Sequence, residues 1–406
     1  MQDELHLFII WETARNIEDK ILEEINQNFE IKQTFSITWS PYQVSRNFTR
    51  FYGQSLPRNS HKELHCGYGE FRLIIVNDTN PIYQERKTSK GHKIVNINMF
   101  DTKTRLRKMT DGGHKIHGTD TEKETKHDLV LLIGLSTLDF KQEYIERKND
   151  IKLKQDLIGT NGWNSFNELF YVLNECSEYV ILRNSENINL KYFMHNTGDI
   201  DILSKDASEI AYVLGDIDSI ENKSKHLKID IDKHIILFEV DQSGCNLFDV
   251  NFENSLFNNK VKTNGIWHLN EELEMYALIY HALLYKEFFQ EKHKKRILIK
   301  YKQFIIDTEN LEQELLMKLI NFFKKHEYKF IAPNDGYFNF RSQIKPILAV
   351  NKMRDSFIIK VLKSFIVISR DQRYMKIIIL KLLNKLIILE IKLPFSFSIG
   401  LNIGYK

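Results

Sequence analysis

The chain has 406 residues, more than one ordinary core uses, so two or three domains are expected. Apolar residues make up 42% and charged residues 27%, with aromatic and β-branched side chains plentiful, which excludes intrinsic disorder. The net charge of +3 hides an uneven distribution: from Asn351 to Lys406 there are 11 Lys or Arg against 3 acids, leaving 46 basic and 51 acidic residues elsewhere.

In chain order, residues 1–150 read as an N-terminal α/β domain. Leu5 to Ile10 is a strand-like apolar run, Ile17 to Phe29 has helical spacing, and Phe71 to Val76 and Ile94 to Phe100 look like further strands. Asp128 to Leu135 is another apolar run. The charged stretch Glu146 to Asp156 marks a boundary, after which residues 151–296 form a second unit. There a helix from Ser165 to Cys176 leads into strands Tyr179 to Leu182 and Asp199 to Leu203, a helix Ala207 to Leu214, and a strand His234 to Asp241. Glu271 to Lys294 reads as one long amphipathic helix. Residues 297–406 are expected to be helical, with Leu311 to Phe323 and Asp355 to Ile391 the clearest stretches.

Cys66, Cys176 and Cys245 are too far apart to suggest a disulfide framework or a zinc site. The opening Gln2-Asp3-Glu4 lacks the pattern of a signal peptide, so a cytoplasmic protein is expected.

Chemistry concentrates in Gly198-Asp199-Ile200-Asp201-Ile202. On a strand, residues two apart share a face, so Asp199 and Asp201 project together while the isoleucines enter a core. Two carboxylates on one face suit Mg²⁺ (or Mn²⁺), which prefers oxygen ligands and neutralises charge on a transferring phosphate. Ile235 to Asp241 supplies a third acid, either Glu239 or Asp241, with Glu239 favoured as the metal ligand because Phe238 and Val240 flank it. Two other copies of the tripeptide, Asp216-Ile217-Asp218 and Asp230-Ile231-Asp232, show that the tripeptide alone is weak and that context singles out Asp199-Asp201.

With Tyr179-Val180-Ile181-Leu182-Arg183-Asn184 ahead of this pair, the region resembles the nucleotidyltransferase superfamily that includes DNA polymerase β. More closely, it resembles nucleotidyltransferase-like proteins of bacterial surface-polysaccharide loci (capsule or lipopolysaccharide), relatives of the LicD and fukutin phosphotransferases. Trp267 to Glu272 and Tyr280 to Lys286 fit the helix after the third acid in that group, and the likeness covers about residues 165 to 300. It implies an α/β (α+β) fold with a mixed-sheet catalytic core, a divalent metal, an activated phosphate-linked donor and a hydroxyl acceptor on a sugar or glycan. Where that superfamily usually has Gly-Ser or Gly-Gly before the acids, this chain has Arg183-Asn184-Ser185, which replaces backbone cradling with a guanidinium able to grip phosphate. Lys286 is a second candidate phosphate ligand.

Elsewhere, Gly112-Gly113-His114 with His117, Glu124 and His127 offers polar residues without an assigned chemistry, and Thr121 to Glu124 is a capping box. Read as a helix, residues 370 to 392 place Arg370, Arg373, Lys381, Lys385 and Lys392 on one side; such a helix lies on an anionic membrane or packs on the protein with its charges solvated. No apolar stretch is long enough to span a membrane. The expected activity is transfer of a nucleotidyl or phospho-alditol group to a hydroxyl in surface polysaccharide biosynthesis. The alternatives are a glycosyltransferase with a metal-binding Asp-x-Asp and an RNA-acting nucleotidyltransferase. Against the second, basic and aromatic residues are not interleaved as in an RNA-binding motif.

Overall fold

A computed structural model describes residues 3–331, apart from 89–90, 145–148, 196–197, 218, 220–223 and 307, together with short strands between residues 357 and 404. It is a mixed α/β protein built on two mixed sheets.

The first strand, β1 (Glu4–Ile10), is apolar at nearly every position because both of its faces are covered. Leu5, Leu7 and Ile9 enter one core while Phe8 and Ile10 enter another. After the helix Glu18–Asn28 come β2 (Glu30–Thr38) and β3 (Phe71–Asp78), with β3 central and antiparallel to both neighbours. β4 (Tyr83–Thr88) and β5 (Gly91–Asn96) form a separate hairpin. β6 (Ile116–Gly118) and β7 (Ile151–Lys154) complete the first sheet, whose order is β6-β1-β3-β2-β7. This sheet reaches past residue 150, since β7 pairs in parallel with β2.

One element of this region differs from the sequence reading, and one apolar run is given its structure. Ile94 to Phe100 is the end of β5 followed by the helix Ile97–Met109, because the Asn96 side chain accepts from the Met99 N–H and starts a helix there. The run Asp128 to Leu135 belongs to the helix Glu122–Ile133, started by Thr121, whose hydroxyl accepts from the Glu124 N–H, and ended by Gly134 at φ 76°.

The second sheet comprises β8 (Tyr179–Ile181), β9 (Asp199–Ser204), β10 (His226–Ile231), β11 (His234–Gln242), β12 (Lys260–Thr263) and β13 (Ile266–Leu269), in the order β10-β11-β9-β8-β13-β12. Tyr179, Ile181, Ile200, Ile202, Phe238 and Val240 share a core with Leu7, Ile9, Phe35 and Leu73 of the first sheet. The helices Val44–Tyr52, Glu122–Ile133, Phe166–Cys176 and Ala207–Leu214 contribute to the same core, so a helical layer joins the two sheets. The opposite face, through Val180, Leu182 and Leu203, is covered by the helices Val250–Asn258, Glu271–Leu284 and Leu311–Lys325.

The expected single helix Glu271 to Lys294 is two, Glu271–Leu284 and Glu291–Lys300. Between them the Tyr285 hydroxyl donates to the Leu247 carbonyl, and Phe289 is buried in the same core as Ile297; a straight helix could not bury both sides of this turn. The expected helix Asp355 to Ile391 is also corrected. Its described residues form β14 (Phe357–Val361), β15 (Ser364–Asp371) and β16 (Tyr374–Ile379), an antiparallel sheet, with β17 (Ile388–Glu390) paired to β18 (Asn402–Gly404). Runs such as Phe365-Ile366-Val367-Ile368 and Ile377-Ile378-Ile379 are β-branched and favour strands. The one-sided basic helix over 370–392 therefore does not form, and Arg373, Lys381, Lys385 and Lys392 lie outside the described residues. Among the described residues, no helix is long and apolar enough to cross a membrane.

Arg50 pins the two halves together. Fully buried, it donates to Thr160 Oγ1 (2.7 Å), to the Ile158 carbonyl (2.8 Å), and to the carbonyls of Val213 (2.5 Å) and Tyr212 (3.3 Å) at the end of the helix Ala207–Leu214. Burial pulls its pKa down to about 9, still above neutrality, so the guanidinium remains charged at pH 7. Arg50→Met leaves these buried acceptors unpaired, and urea unfolding is expected to show a loss of about 1–3 kcal/mol. A loss below about 1 kcal/mol, the ordinary net worth of one hydrogen bond, would mean that Arg50 is not the pin.

Candidate active site

β9 and β11 are paired in parallel with Asp201 opposite Glu239, Asp199 opposite Leu237 and Leu203 opposite Asp241. Because side chains alternate along a strand, Asp199, Asp201, Glu239 and Asp241 share one face, while Ile200, Ile202, Phe238 and Val240 anchor the other in the core. One oxygen from each of Asp199, Asp201 and Glu239 lies within 4.8 Å of the other two; among the described residues this is the one group with geometry for a metal ion. Asp199 is exposed, Glu239 half-buried and Asp201 buried at 4% exposure.

Asp241 lies one step further along the same face, at the wall of a cleft of about 280 Å³ rather than in the three-oxygen group. Arg183, just past β8, sits at that cleft and grips Asp201. Its Nε donates to Oδ2 at 2.7 Å and its Nη2 donates to Oδ1, a two-pronged pair in which Asp201 is buried and Arg183 half-buried. Lys286 lines the cleft with His281 and Tyr285, where the bend after the helix Glu271–Leu284 brings it round.

The residue that sequence reasoning missed is Lys225. Its backbone carbonyl accepts from the Val240 N–H, continuing the β10–β11 pairing. Its ammonium lies 2.6 Å from Glu239 and 3.6 Å from Asp241. The signal available was position: a lysine one residue before a strand that pairs antiparallel with the acid-bearing strand.

These neighbours set the protonation of the site. Burial raises the Asp199 carboxyl, and repulsion from Asp201 and Glu239 adds to it. Burial also works upward on Glu239, but the hydrogen bond and charge of Lys225 outweigh it and hold that carboxyl below its ordinary range. For Asp241 burial wins, opposed by Lys225, and the pKa rises. Burial opposes the charge on Arg183, yet Asp201 raises its pKa overall. Burial, with Arg183 and Lys286 nearby, presses His281 far below the usual imidazole range, so it is neutral at pH 7.

The donor set fits a hard divalent cation. With Mg–O bonds of about 2.1 Å, neighbouring ligands are about 3.0 Å apart and opposite ones about 4.2 Å, so oxygens within 4.8 Å of one another would draw together on the ion.

The other Asp-Ile-Asp copies serve turns. Asp216 accepts from the N–H groups of Ser219 and Lys228, Asp230 is exposed near the end of β10, and Asp232 adopts φ 50° in the turn before β11; Asp218 lies outside the described residues. In the N-terminal half, Glu124 caps its own helix by accepting from the Asp120 N–H. His117 bonds to the buried Asp128 at 2.7 Å and staples β6 to the helix Glu122–Ile133, while His127 on that helix bonds the same carboxylate at 2.9 Å. His114 packs against His61 and His65 away from both.

No protein-family model matches the chain, and no curated protein matches it. Among solved structures, a nucleoside diphosphate kinase of Aquifex aeolicus is similar at 15% identity, over 34% of this chain and 98% of that one, with a TM-score of 0.23. That likeness is too shallow to carry an argument about fold or chemistry.

Since the Asp199 pKa is raised, its ionised form weakens the fold, and stability falls as pH rises through that pKa. Asp199→Asn is therefore expected to raise the thermal unfolding midpoint at pH 7 in a chelator, with the difference shrinking at pH 4. Added Mg²⁺ should stabilise the wild type more than the variant. A variant less stable than the wild type at pH 7 in chelator would contradict this electrostatic account.

Proposed function

We propose that this protein is a divalent-metal-dependent transferase that moves a phosphate-linked group, nucleotidyl or phospho-alditol, from an activated donor to a hydroxyl of a sugar or glycan acceptor in surface polysaccharide synthesis. The observation that carries the reading is the convergence of Asp199, Asp201 and Glu239 on adjacent parallel strands, beside a cleft holding Arg183, Lys225 and Lys286. The polysaccharide setting rests on the likeness of residues 165 to 300 to proteins of surface-polysaccharide loci.

Asp199, Asp201 and Glu239 would hold Mg²⁺ or Mn²⁺, which when bound supplies charge neutralisation at the transferring phosphate. Lys286 and Arg183 orient the donor's phosphates from the cleft wall. Asp241, with its raised pKa and its place on the same face, is suited to take the acceptor's hydroxyl proton as the new bond forms. Neutral His281 donates or accepts a hydrogen bond at the cleft floor without adding charge.

The test is a donor screen in Mg²⁺, comparing nucleoside triphosphates with nucleotide-activated alditols on glycan acceptors. Pyrophosphate release marks nucleotidyl transfer and nucleoside monophosphate release marks phospho-alditol transfer. Asp201→Asn is expected to lower turnover by more than the roughly 100-fold that loss of an outer-shell partner produces, with an unchanged circular dichroism spectrum. Release of a nucleoside diphosphate would instead identify a glycosyltransferase, and full activity in Asp201→Asn would remove this site from the chemistry.

A further inference from the structure

Two cations already occupy the carboxylates that a metal would need. The guanidinium fork of Arg183 holds both oxygens of Asp201, and Lys225 holds Glu239 while lying 3.6 Å from Asp241. Asp199 alone of the three metal-site acids forms no ion pair among the described residues. Both cations also line the cleft in which phosphates would sit, together with Lys286.

A divalent ion placed among these oxygens stands next to a guanidinium and an ammonium and repels both. The burial of Asp201 in its pair with Arg183 makes that repulsion stronger than it would be in water. Neither cation needs to leave the site to relieve it. Arg183 and Lys225 can turn from carboxylate to phosphate within the same cleft, exchanging one anionic partner for another. Arg183 suits this exchange because its fork fits a phosphate as well as a carboxylate, and Lys225 suits it because half of its side chain is solvent-exposed.

Resting on the reading of this site as a metal-dependent phosphate-group transferase, we propose that Lys225 is a further donor-phosphate ligand. Arg183 and Lys225 act as exchangeable counter-ions, so that the divalent metal and the donor's diphosphate bind cooperatively. In the empty site the cations neutralise the acids; with metal bound they are released to the phosphates. The metal alone binds weakly, the diphosphate alone binds weakly, and each strengthens the other by the same factor. The site thereby avoids holding a metal in the absence of donor.

The experiment measures Mn²⁺ binding by calorimetry and by the loss of the free-ion paramagnetic signal, with and without saturating inorganic pyrophosphate. The wild type, Lys225→Ala, Arg183→Lys and Asp201→Asn are compared. In the wild type, pyrophosphate should tighten Mn²⁺ binding at least about fivefold, the lower end of ordinary coupling. In Lys225→Ala, whose exposed side chain makes misfolding no concern, Mn²⁺ alone should bind more tightly than in the wild type. The pyrophosphate effect there should shrink to about twofold or less. Arg183→Lys keeps a charge beside Asp201 but loses the fork, and should weaken the coupling with less effect on Mn²⁺ alone. The exchange is overturned if Lys225→Ala binds Mn²⁺ alone no more tightly than the wild type, or if its coupling is undiminished. If Mn²⁺ binding in the wild type is absent or unaffected by Asp201→Asn, the carboxylate site itself fails and the exchange fails with it. If binding depends on Asp201 while Lys225→Ala behaves as the wild type, only the exchange fails.

Discussion

The in-register parallel pairing of β9 with β11 is the constraint on which the site depends. It sets Asp201 beside Glu239 and leaves no freedom to separate them, because a slip of one residue would turn Ile200, Ile202, Phe238 and Val240 out of the core. The apolar partners on one face thus fix the acids on the other. The repulsion between those acids is tolerated because Arg183 and Lys225 stand against two of them. What the fold does not relieve is Asp199, whose raised pKa marks where the protein gives up stability.

The surrounding structure can be followed outward from that pairing. The isoleucine face joins the first sheet through a helical layer pinned by Arg50, and the acid-bearing face is roofed by the helices Val250–Asn258 and Glu271–Leu284. The bend at Tyr285 matters functionally, since it keeps Lys286 at the cleft wall beside His281 of the preceding helix and Tyr285 at its end.

Much of this was legible in the sequence because local pattern and tertiary packing agree there. The alternation Asp-Ile-Asp-Ile and the run Phe238-Glu239-Val240-Asp241 announce both the strands and the shared face of the acids. The helix Ala207–Leu214 has its start and stop written in Asp206 and Gly215. The C-terminal segment was misread because short apolar runs separated by lysines satisfy helical spacing as well as strand composition. The break at Tyr285 involves neither Pro nor Gly; it follows from the tertiary contacts of Tyr285 and Phe289, which no local pattern contains. Lys225 was hidden for the same reason, since its partners are 14 and 16 residues away across a strand pairing. The engagement of Arg183 by Asp201 likewise spans 18 residues and leaves no local signature.

The central claim, that Asp199, Asp201 and Glu239 form a divalent-metal site, is tested most directly by an anomalous-scattering crystal structure in Mn²⁺. The account predicts an anomalous peak bonded to an oxygen of each of the three side chains, at about the 2.2 Å of a first-row divalent ion with carboxylates. Crystals grown in Mn²⁺ with no peak among these carboxylates, and Arg183 still forked onto Asp201, would contradict it.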